Sequence, residues 1–364
     1  MKPAASYQLR SGESWRDPFP MYRNLRDHDP VHRVAIRGDD PEPFWFLSRF
    51  DDVFAAARDT ATFSSAHGLT VDPDSPGTGM GDATPIVFMD PPEHTAMRRL
   101  VGRGFTPRQE PLPSLVVAWY LGVPPEDRPR FDVWTDQIVA AAAEGNAAAA
   151  DGINDLLAYF AELVERRRTE PADDMVSHLV SLGEEEASVL WVLGFAFTMV
   201  AGGNDTTTGM LGGSAVLLTE HRDQRRRLLD DPGLLPGAVD ELLRLTSPVQ
   251  GLARVATRDV EVDGRSIAAG DRVLLGYGAA NRDEREFGPT AESLDVGRHI
   301  ARHLTFGSGA HHCLGAAAAR LQSRIALEEL LHRCPDFTVD GDAATYATGN
   351  YVRRHTSLPF RATC

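Results

Sequence analysis

The sequence predicts a mainly α fold with a minor β part, and three observations support it. Long stretches carry helical apolar periodicity, the β-like runs are short and clustered, and no internal repeat is visible. Near the N-terminus, Phe44-Trp45-Phe46-Leu47 reads as a strand and Asp51 to Arg58 as an amphipathic helix. Residues 64–88 carry Gly or Pro every few positions without a sustained period, the mark of a long loop, expected as a lid or binding loop with plain disorder as the alternative. From Asp132 to about Val180 the chain is Ala-rich and mostly helical, broken at Glu144-Gly145-Asn146 and at Glu170-Pro171. A long helix is expected from about Ser188 to Glu220, and another at Pro236–Leu245. Short strands fall around 252–275, the chain is irregular to Leu304, and a last amphipathic helix follows Cys313.

Composition narrows the classes. With 364 residues, 42% of them hydrophobic, the chain can bury a large core. Its cysteines, Cys313, Cys334 and Cys364, form an odd and sparse set with no disulfide framework, which fits a reducing cytoplasm. The opening MKPAASYQLRSGESWRD has no apolar stretch of the secretory-signal kind. Val189 to Gly203 is the most apolar segment, yet it is short for a bilayer span and runs into Asn204-Asp205-Thr206; a buried helix is expected. The net charge of −15 argues against general nucleic-acid binding, which needs a basic surface to displace counterions.

The most informative stretch is Phe306-Gly307-Ser308-Gly309-Ala310-His311-His312-Cys313-Leu314-Gly315. It places a thiol at the end of a glycine-punctuated loop and at the start of a helix. There the unpaired N–H groups and the positive helix end favour a thiolate. A thiolate held this way suits a strongly donating bond to iron. The stretch resembles the haem-ligand signature of the cytochrome P450 family, with Cys313 at the motif's cysteine, and the resemblance covers essentially the whole chain. It implies a single-domain cytochrome P450 fold over residues 1–364. The implied cofactor is haem b (iron protoporphyrin IX) held by an axial cysteine thiolate, with Cys313 as the iron ligand and Gly315 beside the cofactor.

Further residues match the family pattern. Glu241 and Arg244 lie three apart on an apolar helix, within pairing distance. They resemble the family's E-x-x-R pair, and Arg298 matches the later arginine that completes it; the implied role is structural, bracing the Cys loop. Asp90-Pro91-Pro92-Glu93-His94 opens a helix, with Asp as cap and Pro in the first turn. His94 and Arg98 then share a face and can donate to a carboxylate, as haem propionates require. By resemblance Arg254 and His311 are the other propionate ligands. Gly202-Gly203-Asn204-Asp205-Thr206 stands in mid-helix, where two glycines weaken the helix and Thr and Asp compete for its backbone bonds. An opened turn is expected there. The run looks like the family's oxygen-activating motif, in which Thr206 holds a water and Asp205 relays protons from solvent.

The expected reaction is insertion of one atom of dioxygen into a C–H or double bond of an apolar substrate. Electrons would come from ferredoxin and ferredoxin reductase. A peroxide-driven peroxygenase and a non-catalytic haem sensor or carrier are the alternatives; Asp205-Thr206 counts against the former. Expected pocket walls are Met80, Val200, Ala201, Val249, Leu252, Tyr351 and Val352, mostly apolar and equally compatible with core packing. Arg98, Arg99, Arg103 and Arg108, with Arg320 and Arg324, form either a basic patch for an acidic electron carrier or a solvated arginine face. A monomer without a membrane span is expected.

One departure from the family stands out. After Phe105-Thr106-Pro107-Arg108-Gln109 the chain passes almost directly to Leu112, and on to Leu121-Gly122-Val123-Pro124. Family members normally carry another helix and a connecting segment there. The expected fold is therefore shortened after residue 109.

Overall fold

The computed structural model describes residues 5–34, 43–71, 84–102, 113–128, 130, 133–134, 148–183 and 187–362. Helices α1 (Phe19–His28) and α2 (Phe50–Arg58) alternate with strands β1 (Val31–Val34), β2 (Phe44–Leu47) and β3 (Phe63–Ser64). Next come α3 (Glu93–Gly102), α4 (Pro113–Leu121), α5 (Ala148–Thr169), α6 (Met175–Leu182) and the long α7 (Val189–Glu220). After α8 (Arg222–Asp230) and α9 (Leu235–Thr246) lie four strands, β4 (Leu252–Ala256), β5 (Val260–Val262), β6 (Arg265–Ile267) and β7 (Arg272–Leu275). Two short helices, α10 (Tyr277–Ala280) and α11 (Glu284–Phe287), interrupt the stretch expected to be irregular, and α12 (Ala316–Arg333) follows the Cys loop. By contact the chain gathers into two compact units, residues 1–75 with 206–364, and residues 76–205.

In the first unit a five-stranded sheet runs in the order β1-β2-β7-β4-β3. Only the β2–β7 pair is parallel, Phe44 facing Arg272 and Leu47 facing Leu275. Phe44-Trp45-Phe46-Leu47 is buried on both faces, as a central strand demands. One side of the sheet packs Val31, Trp45, Leu47 and Val273 against Phe50 and Val53 of α2. Phe46 and Leu274 join Tyr7 and Tyr22 in a second cluster. A third core joins the later turns of α7 with α9 and α12, through Met210, Leu218, Leu242, Leu243 and Leu327.

Glycines let α7 approach its neighbours in this unit. A Cβ on Gly213 would lie 2.7 Å from Thr246 Cγ2, and one on Gly209 would lie 2.8 Å from the Arg353 carbonyl oxygen. In the second unit α5 buries Leu156, Phe160, Leu163 and Val164, and α6 buries Met175, Val176 and Leu179. Asp174 caps α6 by accepting the Ser177 N–H at 2.7 Å, and its second oxygen takes Arg167 at 2.7 Å. The break expected at Glu170-Pro171 falls between these two helices.

Candidate active site

The Cys loop is a series of tight turns. Gly307 N–H donates to the Leu304 carbonyl at 2.9 Å, His312 N–H to Gly309 at 3.1 Å, and Cys313 N–H to Phe306 at 2.9 Å. Gly309 has φ +72°, and a Cβ there would lie 2.9 Å from Arg58 Cα and 3.0 Å from the Ala57 carbonyl. Those contacts are backbone, so only glycine fits. Gly315 caps α12, and its Cβ position is 3.8 Å from Cys313 Sγ. The sulfur therefore sits beside the first turn of an 18-residue helix, and Cys313 is exposed.

Behind the loop lies a buried polar frame. Glu241 and Arg244 are both 0% exposed. They form a two-pronged pair, with Arg244 Nε and Nη2 each 2.8 Å from a Glu241 oxygen. Arg244 Nη1 donates to the carbonyls of Asn281 and Ala291, both at 2.6 Å. Arg298 reaches Glu241 Oε1 at 3.2 Å and the Phe287 carbonyl at 2.8 Å. The Asp295 N–H adds a fourth donor to Glu241 at 3.1 Å. The structure thus brings Glu241, Arg244 and Arg298 together.

Sequence reasoning missed Asn281. Fully buried, it accepts the Leu304 N–H at 2.7 Å and donates to Ser247 Oγ at 2.8 Å and Thr305 Oγ1 at 3.1 Å. Thr305 Oγ1 in turn donates to the Leu243 carbonyl at 2.9 Å. Asn281 thereby ties the C-terminal turn of α9 to the first residues of the Cys loop. No motif announces it; only the chain reversal after α10 puts it there.

Arg254 projects from β4 and is 3% exposed. It donates to the Ala253 carbonyl at 2.7 Å and bonds the Tyr277 hydroxyl. Among the described residues no carboxylate pairs with it. His311 Nε2 lies 3.1 Å from Ser65 Oγ. His94, buried, and Arg98, half-buried, stand one turn apart on α3 in the second unit.

Asp205 and Thr206 are half-buried on α7. The turn expected to open around Gly202–Thr206 is assigned as helix throughout. Gly203 has a packing reason of its own, since a Cβ would lie 2.7 Å from Val117 Cγ2 of α4. At Gly202 a Cβ would meet nothing within 4 Å among the described residues. Of the expected pocket walls, Val200 is buried. Val249 bridges Val352, with the Gln250 N–H donating to the Tyr351 carbonyl at 2.7 Å beside it. Val249 and Leu252 pack partly against the sheet core. Met80, the Ala201 side chain, Arg103 and Arg108 lie outside the described residues.

Comparison with known proteins agrees with this geometry. The family described as Cytochrome P450 matches residues 214–343. Cytochrome P450 130 of Mycobacterium tuberculosis is 54% identical, over 98% of this chain and 98% of its own length. The chain belongs to the cytochrome P450 family. Vitamin D(3) 25-hydroxylase of Pseudonocardia autotrophica is 35% identical, over 97% of this chain and 96% of its own. The solved structure of the Bacillus subtilis bacillaene polyketide synthase P450 PksS superposes with a TM-score of 0.86 at 30% identity, covering 97% of this chain and 98% of that one. The protein is accordingly a P450 monooxygenase with the P450 fold, mainly helical with a smaller sheet part.

The 54% identical P450 aligns over 396 positions although this chain has 364 residues. That relative therefore carries residues that this chain lacks, at least 32 positions' worth across the alignment. A shortening after residue 109 is of this kind. Among the described residues no helix is long and apolar enough to cross a membrane.

The haem that the family implies fits the residues present. A porphyrin supplies four nitrogen ligands of its own, so one protein sulfur suffices, and Cys313 presents an exposed one. Among the described residues Arg254 is a buried guanidinium with no carboxylate partner, a costly arrangement that a propionate would relieve.

Proposed function

We propose that this P450 inserts one atom of dioxygen into a C–H or double bond of an apolar substrate, fed with electrons by ferredoxin and ferredoxin reductase. Cys313 Sγ binds the iron of haem b as thiolate, and Arg254, His311, His94 and Arg98 hold the propionates. When bound, the haem supplies the dioxygen chemistry: two electrons and two protons accompany one oxygen atom into the product and the other into water.

The remaining work falls to side chains. The α12 N-terminus offers its positive end to the sulfur and so keeps the negative charge there. Thr206 Oγ1 holds a water and presents a proton, and the Asp205 carboxylate resupplies it from solvent. The Glu241–Arg244–Arg298 frame and Asn281 keep the loop at one position while charge changes in front of it. Val249, Leu252, Tyr351 and Val352 supply an apolar wall that excludes water and favours a bulky lipid, steroid-like or polyketide substrate. Two relatives, a vitamin D(3) 25-hydroxylase and a polyketide-synthase P450, point the same way. Among the described arginines of that set, Arg99 and Arg324 are exposed and serve an acidic electron carrier. A monomer in the cytoplasm completes the reading.

The observation that carries the proposal is the exposed Cys313 sulfur beside the α12 cap, with a buried Arg254 in the same unit that pairs with no carboxylate among the described residues. Product formation tests it. With NADPH, ferredoxin and ferredoxin reductase, turnover of an apolar substrate that produces a ligand-binding spectrum is expected. Turnover with hydrogen peroxide alone identifies a peroxygenase, and none under either condition a carrier. Thr206→Ala should retain haem but consume several-fold more electrons per product; unchanged coupling refutes the proton path.

A further inference from the structure

Asp240 precedes the Glu241 of the buried frame, yet its side chain faces another partner set. Its Oδ1 takes Arg320 Nε at 2.7 Å and His303 Nε2 at 3.2 Å. His303 is 3% exposed, and its Nδ1 faces the Thr305 N–H at 3.3 Å. That contact assigns the imidazole's proton to Nε2, directed at Asp240. Arg320, on α12, lays its guanidinium carbon 4.6 Å from the centre of the Phe306 ring. Phe306 is the residue whose carbonyl accepts the Cys313 N–H at 2.9 Å. One carboxylate on α9 therefore grips both ends of the ligand-loop region, His303 before it and Arg320 after it. Burial works to raise the Asp240 carboxyl, but the bonds from His303 and Arg320 prevail and hold it below the ordinary carboxylate range.

This wiring has an electrostatic consequence. Arg320 is 39% exposed and Asp240 30%, so the pair is too wet to contribute much to stability. Its charges nevertheless face the loop that carries the sulfur. With Asp240 in place, Arg320 is neutralised. Without it, a positive charge stands over Phe306 and favours whichever state of the centre carries one more electron.

We propose that Asp240 is a positioning residue for the ligand loop, one that acts through Arg320, His303 and Phe306 to set the reduction potential of the Cys313-bound centre. The inference rests on Cys313 as ligand. It also removes Arg320 from the freely available basic patch, because that guanidinium already has a carboxylate and a ring.

Redox titration of the holoenzyme, with the spectrum of its reduced carbon-monoxide complex, tests the proposal on the parent, Asp240→Asn and Asp240→Glu. Asp240→Asn should raise the potential, with the reduced-to-oxidised ratio at fixed applied potential growing about threefold or more. Asp240→Glu should return it toward the parent, and the melting temperature of Asp240→Asn should stay within a few degrees. A potential that does not move, a glutamate that fails to restore it, or a lowered melting temperature without a potential shift overturns the proposal. If the parent's carbon-monoxide band is not that of a thiolate complex, the Cys313 assignment falls and this inference with it. A thiolate band with an unmoved Asp240→Asn potential refutes this inference alone.

Discussion

Glu241 shows what one side chain can carry when it is buried. It accepts from Arg244 twice, from Arg298 and from the Asp295 N–H, and no water replaces those bonds if the charge is lost. Glu241→Gln should leave two inward-facing guanidinium groups poorly compensated and cost about 3–5 kcal/mol in urea unfolding. A loss under 1 kcal/mol would mean that the frame is not under the load assigned to it.

His355 gives a pH-dependent counterpart. Burial, followed by the charges of Arg353 and Arg16, pushes its imidazole down to about 4, and neither ring nitrogen has a hydrogen-bond partner among the described residues. The unfolded chain takes up this proton near the ordinary value of about 6.5, the folded one only near 4. Its contribution is therefore fully present above about pH 6.5, is lost as pH falls toward 4, and amounts to about 3 kcal/mol at most. His355→Gln should flatten the urea midpoint's slope across that window; a parent-like slope contradicts the assignment.

At this scale the sequence disclosed the frame and offered Cys313 as the candidate ligand, but it did not disclose the wiring between them. Cys313, Glu241 and Arg244 sit in short motifs, legible because local spacing sets their geometry. Asn281 reaches Leu304 across 23 residues, and Asp240 reaches His303 and Arg320 across 63 and 80, separations that leave no periodic trace.

Among the elements, α7 is the most instructive. Its bounds were readable from apolar pattern alone, Ser188–Glu220 expected and Val189–Glu220 found. The two mid-helix glycines were readable as unusual, but their reasons differ. Gly203 makes room for Val117, whereas a Cβ on Gly202 would meet nothing within 4 Å among the described residues. Gly203→Ala should therefore destabilise by about 1–3 kcal/mol through overpacking. Gly202→Ala should be neutral or gain up to about 1 kcal/mol from helix propensity. Thermal melting of the two variants should rank them in that order, and equal melting temperatures contradict the packing account. The sheet was less legible. Phe44–Leu47 was a recognisable strand, but its partner in β7 lies more than two hundred residues away, and parallel pairing over that distance has no local signature. The short α10 and α11 were also missed, because four-residue helices carry too few positions to show a period.

For the whole molecule, the charge of −15 and the mainly helical pattern excluded classes more than they chose one. The family emerged from a ten-residue loop, and full-length similarity to other P450s agrees with it. The 54% identical relative aligns over more positions than this chain has residues, and the sequence offers one place for a shortening, the two landmarks brought close after residue 109. The proposed chemistry depends on one bond, from Cys313 sulfur to iron. The spectrum of the dithionite-reduced, carbon-monoxide-bound protein measures it most directly. The account predicts the red-shifted band of a thiolate complex in the parent and its loss in Cys313→Ser; a band that survives that substitution, or a parent with a nitrogen-ligated spectrum, would contradict it.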